Sequence, residues 1–104
     1  MWLQRHDSAL LYAVVAGDVP AARKAFDEGG HVDMSIRQNF TLLQVAARQG
    51  SVEMAKLLIE HGADVKATND NGDTALKIAR ANQHSEMVDY LLSLNATNHT
   101  NHAP

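Results

Sequence analysis

The sequence predicts an all-α solenoid of three helix-turn-helix repeats with β-turn loops projecting to one side. Three observations predict it. The chain matches itself without a gap at an offset of 33 residues, as in Ala13, Ala46 and Ala79. Each period holds two short apolar stripes at helical spacing. Capping residues and glycines stand where those stripes should start and stop.

The offset also aligns Leu10, Leu43 and Leu76, and places a hydroxyl at Ser8, Thr41 and Thr74. Between the first two copies it pairs Gly17 with Gly50, Val19 with Val52, Gly29 with Gly62 and Val32 with Val65. Between the second and third it pairs Glu53 with Glu86, Met54 with Met87 and Leu58 with Leu91.

In the first copy Asp18 caps the second helix, and Pro20 lies within its first turn, where a missing N–H costs little. The second copy is the clearest. Thr41 stands at an N-cap, and Leu42, Leu43, Val45, Ala46 and Ala47 form the apolar stripe that follows. Gly50 ends this helix at a position that commonly needs a left-handed backbone. Ser51 caps the next, whose stripe is Val52, Met54, Ala55, Leu57, Leu58 and Ile59, and Gly62 stops it. In the third copy Gln83 replaces the glycine, which predicts a strained or differently shaped turn. The residues from Asn95 to Pro104 are polar without an apolar period and read as a disordered tail. Met1, Trp2 and Leu3 are apolar and are expected to pack on the first repeat or mark a contact surface.

The stretch Thr41-Leu42-Leu43-Gln44-Val45-Ala46-Ala47-Arg48-Gln49-Gly50 resembles the ankyrin signature T-P-L-H-x-A-A-x-x-G. Leu57-Leu58-Ile59-Glu60-His61-Gly62-Ala63-Asp64-Val65 resembles the L-L-x-x-G-A-D-V ending of the same repeat, whose period is also 33 residues. The resemblance covers residues 3–94 as repeats of about 3–35, 36–68 and 69–94, with 95–104 as the tail. Leu42, Ala9 and Ala75 replace the family's proline, and Gln44, Leu11 and Lys77 its histidine, which normally helps tie loop to helix. The third copy lacks the closing loop, Asn95-Ala96-Thr97-Asn98 standing in for Gly62-Ala63-Asp64-Val65.

Composition excludes several functions. The chain of 104 residues has no cysteine, so disulfides, thiolate metal sites and cysteine nucleophiles are ruled out. A net charge of −3 provides no footprint for nucleic acid or an anionic membrane. The longest apolar run, Ala9 to Ala16, is too short to span a bilayer and belongs to the first repeat rather than to a leader. The expected compartment is the cytoplasm, or an exported location if a signal peptide precedes residue 1.

No enzymatic or cofactor site is expected. His6, His31, His61 and His84 are scattered over the repeats, while His99 and His102 lie in the polar tail, so no metal ligand set converges. Glu53 and Glu86 open second helices, where a carboxylate suits the helix dipole better than it suits acid catalysis. Asp70, Asn71, Gly72 and Asp73 lack the closing glutamate of a calcium loop. The triplets at Asn39, Asn95 and Asn98 have the form of glycan acceptors and are assigned no role.

The resemblance implies a protein that binds another protein through loop tips and the exposed faces of first helices. The matching helix positions are Val15 with Ala16, Arg48 with Gln49, and Ala81 with Asn82. The loop positions are Gln4, Arg5 and Asp7, then Arg37, Gln38 and Phe40, then Asp70, Asn71 and Asp73. Met34, Ile36 and Phe40 place three apolar side chains on a segment expected to be exposed, with Phe40 as the leading anchor. For Met34 and Ile36 an equal expectation is packing beneath the loop. The reading that follows is a chain monomeric when free, acting as an inhibitor or self-protection factor of a partner enzyme; the alternative is an adaptor holding two proteins together.

Overall fold

The computed structural model describes residues 5–102, with side chains described from 7 to 94. Six helices follow one another among these residues: α1 (Arg5–Ala16), α2 (Val19–Asp27), α3 (Leu42–Gln49), α4 (Val52–Glu60), α5 (Ala75–Ala81) and α6 (Ser85–His102). α1 packs on α2, α3 on α4 and α5 on α6. The first helices of the pairs line up as α1, α3, α5, and the second as α2, α4, α6. The result is an elongated body of 44 × 27 × 22 Å with the first helices along one side. Among the described residues the only β-type pairing is one antiparallel bridge between Ser35 and Thr41, at the base of the second loop.

The caps explain the boundaries. The Asp18 carboxylate accepts from the Ala21 N–H and the Ser51 hydroxyl from that of Met54. The Thr41 hydroxyl accepts from Gln44 N–H while Gln44 Oε1 accepts from Thr41 N–H, which satisfies two orphan donors reciprocally. Thr74 caps α5 through Lys77 N–H. Ser8 departs from this series. α1 begins earlier, at Arg5, because Arg5-His6-Asp7 replaces the turn-forming residues found before α3 and α5. α6 departs too. Its helical backbone continues to His102, past residue 94, because neither glycine nor proline interrupts the chain between Ser85 and His102.

The core is a spine of aliphatic side chains at equivalent repeat positions. Leu42, Met54, Leu58, Met87 and Leu91 are fully buried, together with the small Ala22, Ala46, Ala55 and Ala79 that let the helices approach closely. Each fully buried leucine stabilises the fold by about 1.5–3 kcal/mol. The two ends of the stack differ. Tyr12 is 75% exposed, whereas its counterparts Val45 and Ile78 are 8% and 7% exposed beneath the preceding pair. At the other end Arg80 is exposed where Val14 and Ala47 are buried, so a charge meets water at the last pair.

Gln83 has φ +61°, the left-handed geometry that Gly50 adopts at φ +76°. The third inter-helix turn therefore keeps the shape of the other two, where Gly17 and Gly50 have φ of 72° and 76°, and carries strain in a residue with a Cβ.

Candidate functional site

Side chains from α3, α5 and the loops before them build a groove on the first-helix side. Phe40 is held in place by the turn Arg37–Asn39, where Gln38 and Asn39 have φ of 60° and 61° and Phe40 N–H donates to Arg37 O at 3.3 Å. The ring is half-buried and packs against the core, as do Met34 and Ile36. For Met34 and Ile36 this is the second of the two equal expectations, packing beneath the loop, whereas the expected exposure of Phe40 is corrected to half-buried. These side chains turn inward because the loop folds back on α3 through the Ser35–Thr41 bridge.

Over the outer face of the Phe40 ring lies the Arg48 guanidinium, its central carbon 5.5 Å from the ring centroid. Across the groove Asp73, just before α5, pairs at 3.2 Å with Lys77 in its first turn. Ile78, Ala81 and Asn82 complete the wall, and the space enclosed is about 370 Å³. Asn82 is tied back, its Nδ2 donating to Ile78 O at 2.8 Å.

Loop and helix junctions are fastened by polar side chains. Gln44 is buried in α3, and its Nε2 donates to Ala67 O at 2.9 Å and to Asp73 O at 3.2 Å. Asn39 Nδ2 donates to Asp70 Oδ1 at 2.8 Å, and Asp70 N–H to Gln38 O at 2.8 Å, linking successive loop tips. The next loop is shaped by buried Asn69, whose Oδ1 accepts from Asn71 N–H and Asp73 N–H. His84 Nε2 donates to Arg48 O at 2.9 Å, and Gln49 Nε2 to Val15 O at 2.7 Å.

Phe40, Arg48, Asp73, Ala81 and Asn82 are thus brought together in one groove. Val15 is exposed on α1, outside it, as is Ala16. Arg37, Gln38 and Asn71 are exposed at loop tips. Asp7 is buried rather than displayed, because its carboxylate accepts from His31 N–H at 2.8 Å and lies 3.0 Å from the His31 ring nitrogen. Asp70 and Gln49 spend their side chains on the bonds just described. Gln4 lies outside the described residues, as do the side chain of Arg5 and the side chains of His99 and His102. Sequence reasoning missed Lys77 and Ile78. The spacing of Asp73, Lys77 and Ala81 at successive i, i+4 positions would have placed Lys77 on the groove wall.

A second groove, of about 290 Å³, opens between α4 and α6, lined by Val52, Lys56, Glu86, Asp89 and Tyr90. Lys56 Nζ lies 5.7 Å from the Tyr90 ring centroid. Burial, with the Glu60 carboxylate second, raises the Tyr90 phenol above its ordinary pKa of 10.0. Among the described residues no three histidines or carboxylates converge as metal ligands would, and no helix is long and apolar enough to cross a membrane.

A family model for ankyrin repeats, in three copies, matches residues 10–102. The chain belongs to the ankyrin-repeat family. It is 42% identical over 88 residues to "Ankyrin repeat, SAM and basic leucine zipper domain-containing protein 1" of Atelerix albiventris, covering 81% of this chain and 18% of that protein. It is 43% identical over 93 residues to "Ankyrin repeat and KH domain-containing protein mask" of Drosophila melanogaster, covering 88% of this chain and 2% of that protein. Similarity extends to "Potassium channel AKT1" of Oryza sativa subsp. indica, 35% identical over 80 residues, covering 74% of this chain and 9% of the channel. The chain therefore spans less than a fifth of the length of each of these relatives. Ankyrin repeats are protein–protein interaction modules. In this ankyrin domain Gln44 occupies the family's histidine position and takes over its tie. A carboxamide offers both an acceptor for the cap and a donor for the loop.

Proposed function

We propose that the chain binds a segment of a partner protein in the α3–α5 groove and thereby inhibits or shields a partner enzyme. The observation that carries this reading is the grouping of Phe40, Arg48 and Asp73 with Ala81 and Asn82 around one cavity. An aromatic ring already held by its loop and by Arg48 loses little freedom on binding, which favours a tight, preorganised contact. The small Ala81 on the opposite wall leaves room for a partner side chain. Exposed Arg37 and Gln38 at the loop tip supply a polar rim.

A second reading, an adaptor joining two proteins, is favoured by the groove on the other side of the stack, between α4 and α6. Capture from lysate of the source cell by the wild-type chain and by Phe40→Ala separates the readings. One stoichiometric enzyme that loses activity on binding, and is released by Phe40→Ala, supports inhibition. Several partners that bind simultaneously and stay active support the adaptor, and identical capture by both forms overturns the groove as the contact.

A further inference from the structure

We propose that the α3–α5 groove selects a partner segment carrying an aspartate or glutamate beside an apolar residue, the carboxylate meeting Arg48 and the apolar side chain meeting Phe40. This rests on the groove being the contact surface.

Charge is sorted between the two helix layers. The exposed charges on α3 and α5 are all basic: Arg48, Lys77 and Arg80. The second layer, α2, α4 and α6, instead exposes Asp27, Glu53, Glu60, Glu86 and Asp89 against Arg23, Lys24 and Lys56 over the described side chains. Of the first-layer charges, Arg48 and Lys77 line the groove together with Asp73, whereas Arg80 stands at the open end of the stack, so the groove holds more positive than negative charge in a chain of net charge −3. Electrostatic complementarity of this kind selects partners and speeds encounter.

Within the groove the charges are not equivalent. Lys77 is already paired with Asp73 at 3.2 Å. The Arg48 guanidinium lies over the Phe40 ring and, among the described residues, donates no hydrogen bond to an acceptor. With its central carbon 5.5 Å from the ring centroid, the guanidinium has N–H groups left for a carboxylate, which its fork geometry matches with two bonds. A carboxylate there also feels Lys77 in the same groove, an attraction offset in part by repulsion from the paired Asp73, which leaves Arg48 as the principal contact. An apolar neighbour on the same partner segment finds Ile78 and the uncovered part of Phe40. A basic segment would instead set its cations against Arg48, a juxtaposition that disfavours it.

The test is panning of a phage-displayed random dodecapeptide library on the immobilised full chain, in parallel with Arg48→Glu and the milder Arg48→Gln. Circular dichroism and urea midpoints establish that each variant is folded. The wild type is expected to enrich peptides with aspartate or glutamate next to a bulky apolar residue. Binding of a synthetic enriched peptide should weaken roughly tenfold or more in Arg48→Gln and weaken further as salt rises. Arg48→Glu should lose these peptides and enrich lysine or arginine instead. Enriched peptides without acidic residues, or acidic peptides whose binding ignores both substitutions, overturn this inference and leave the groove as the contact surface. No enriched peptide at all, including the case in which the chain binds a single-stranded oligonucleotide instead, overturns both.

Discussion

The imidazole of His84 fills the space that any side chain at position 50 would need. A Cβ built on Gly50 would stand 2.6 Å from His84 Nδ1, while the far nitrogen of the same ring donates to Arg48 O at 2.9 Å. Gly50 also has φ +76°, so two independent demands meet at one residue. Gly50→Ala is expected to cost about 2–4 kcal/mol, the left-handed backbone and the displaced ring together. Gly17→Ala, at φ +72° with open space around it, should cost only about 1 kcal/mol. Urea melts of the two variants isolate the contribution of the ring, and equal losses would mean that His84 moves aside freely.

Gln83 presents the opposite case, a left-handed residue that gains nothing visible from its side chain. Gln83→Gly should stabilise the chain by about 0.5–1 kcal/mol, because relief of backbone strain exceeds the added freedom of the unfolded state. A lower urea midpoint in the variant would disprove it.

Gln44 joins its own helix cap to two carbonyls of the following loop. Gln44→Ala leaves Thr41 N–H, Ala67 O and Asp73 O without that partner and is expected to cost about 2–4 kcal/mol. Hydrogen exchange at the Thr41 and Lys77 amides should quicken more than at Met87. Substitution by histidine, the family's own residue, should restore most of the loss.

For Phe40 the structure revises the balance expected of an exposed ring. Phe40→Ala is expected to cost about 1–2 kcal/mol of stability, since packing against the core and the Arg48 contact both disappear. Leu58→Ala, at a fully buried position, should cost about 2–5 kcal/mol. Partner capture should fall with Phe40→Ala and persist in Leu58→Ala at temperatures where that variant is folded. Titration calorimetry with the captured partner checks the pair.

Alkaline titration tests the second groove. Below pH 10.0 the Tyr90 phenol keeps its proton in both folded and unfolded chains, so it contributes no pH dependence there. Above that value the unfolded chain releases the proton first, and stability should fall until the raised folded pKa is passed. In a Tyr12→Phe background, absorbance near the tyrosinate band should report Tyr90 alone, and Glu60→Gln should lower its midpoint. An unchanged midpoint would remove Glu60 as a cause.

The helices were legible because their signals are local: a stripe, a cap and a stop all fall within one turn or two. Thr41, Ser51 and Gly50 could be read residue by residue. Asp7 could not, since its partner His31 lies most of a repeat away and nothing in the spacing marks the pair. Gln44 departs from the family's histidine in the sequence, yet its carboxamide supplies a donor to the same loop, which residue type alone does not announce. The groove was half legible. Its loop and helix positions follow from the period, but the inward turn of Met34, Ile36 and Phe40 depends on a bridge that forms only when the loop closes.

The two inter-pair junctions use unlike hardware at like places. Val15 O and Arg48 O are equivalent carbonyls, one met by the amide of Gln49 and the other by the imidazole of His84. On the second-helix side, Phe26 stacks on His61 with ring centroids 3.9 Å apart, whereas α4 and α6 meet with Lys56 over Tyr90. Repeats of one period are thereby keyed to their neighbours. A chain with its periods spliced in a different order would preserve every helix and lose these couplings, so position in the array is written into the seams rather than into the helices themselves.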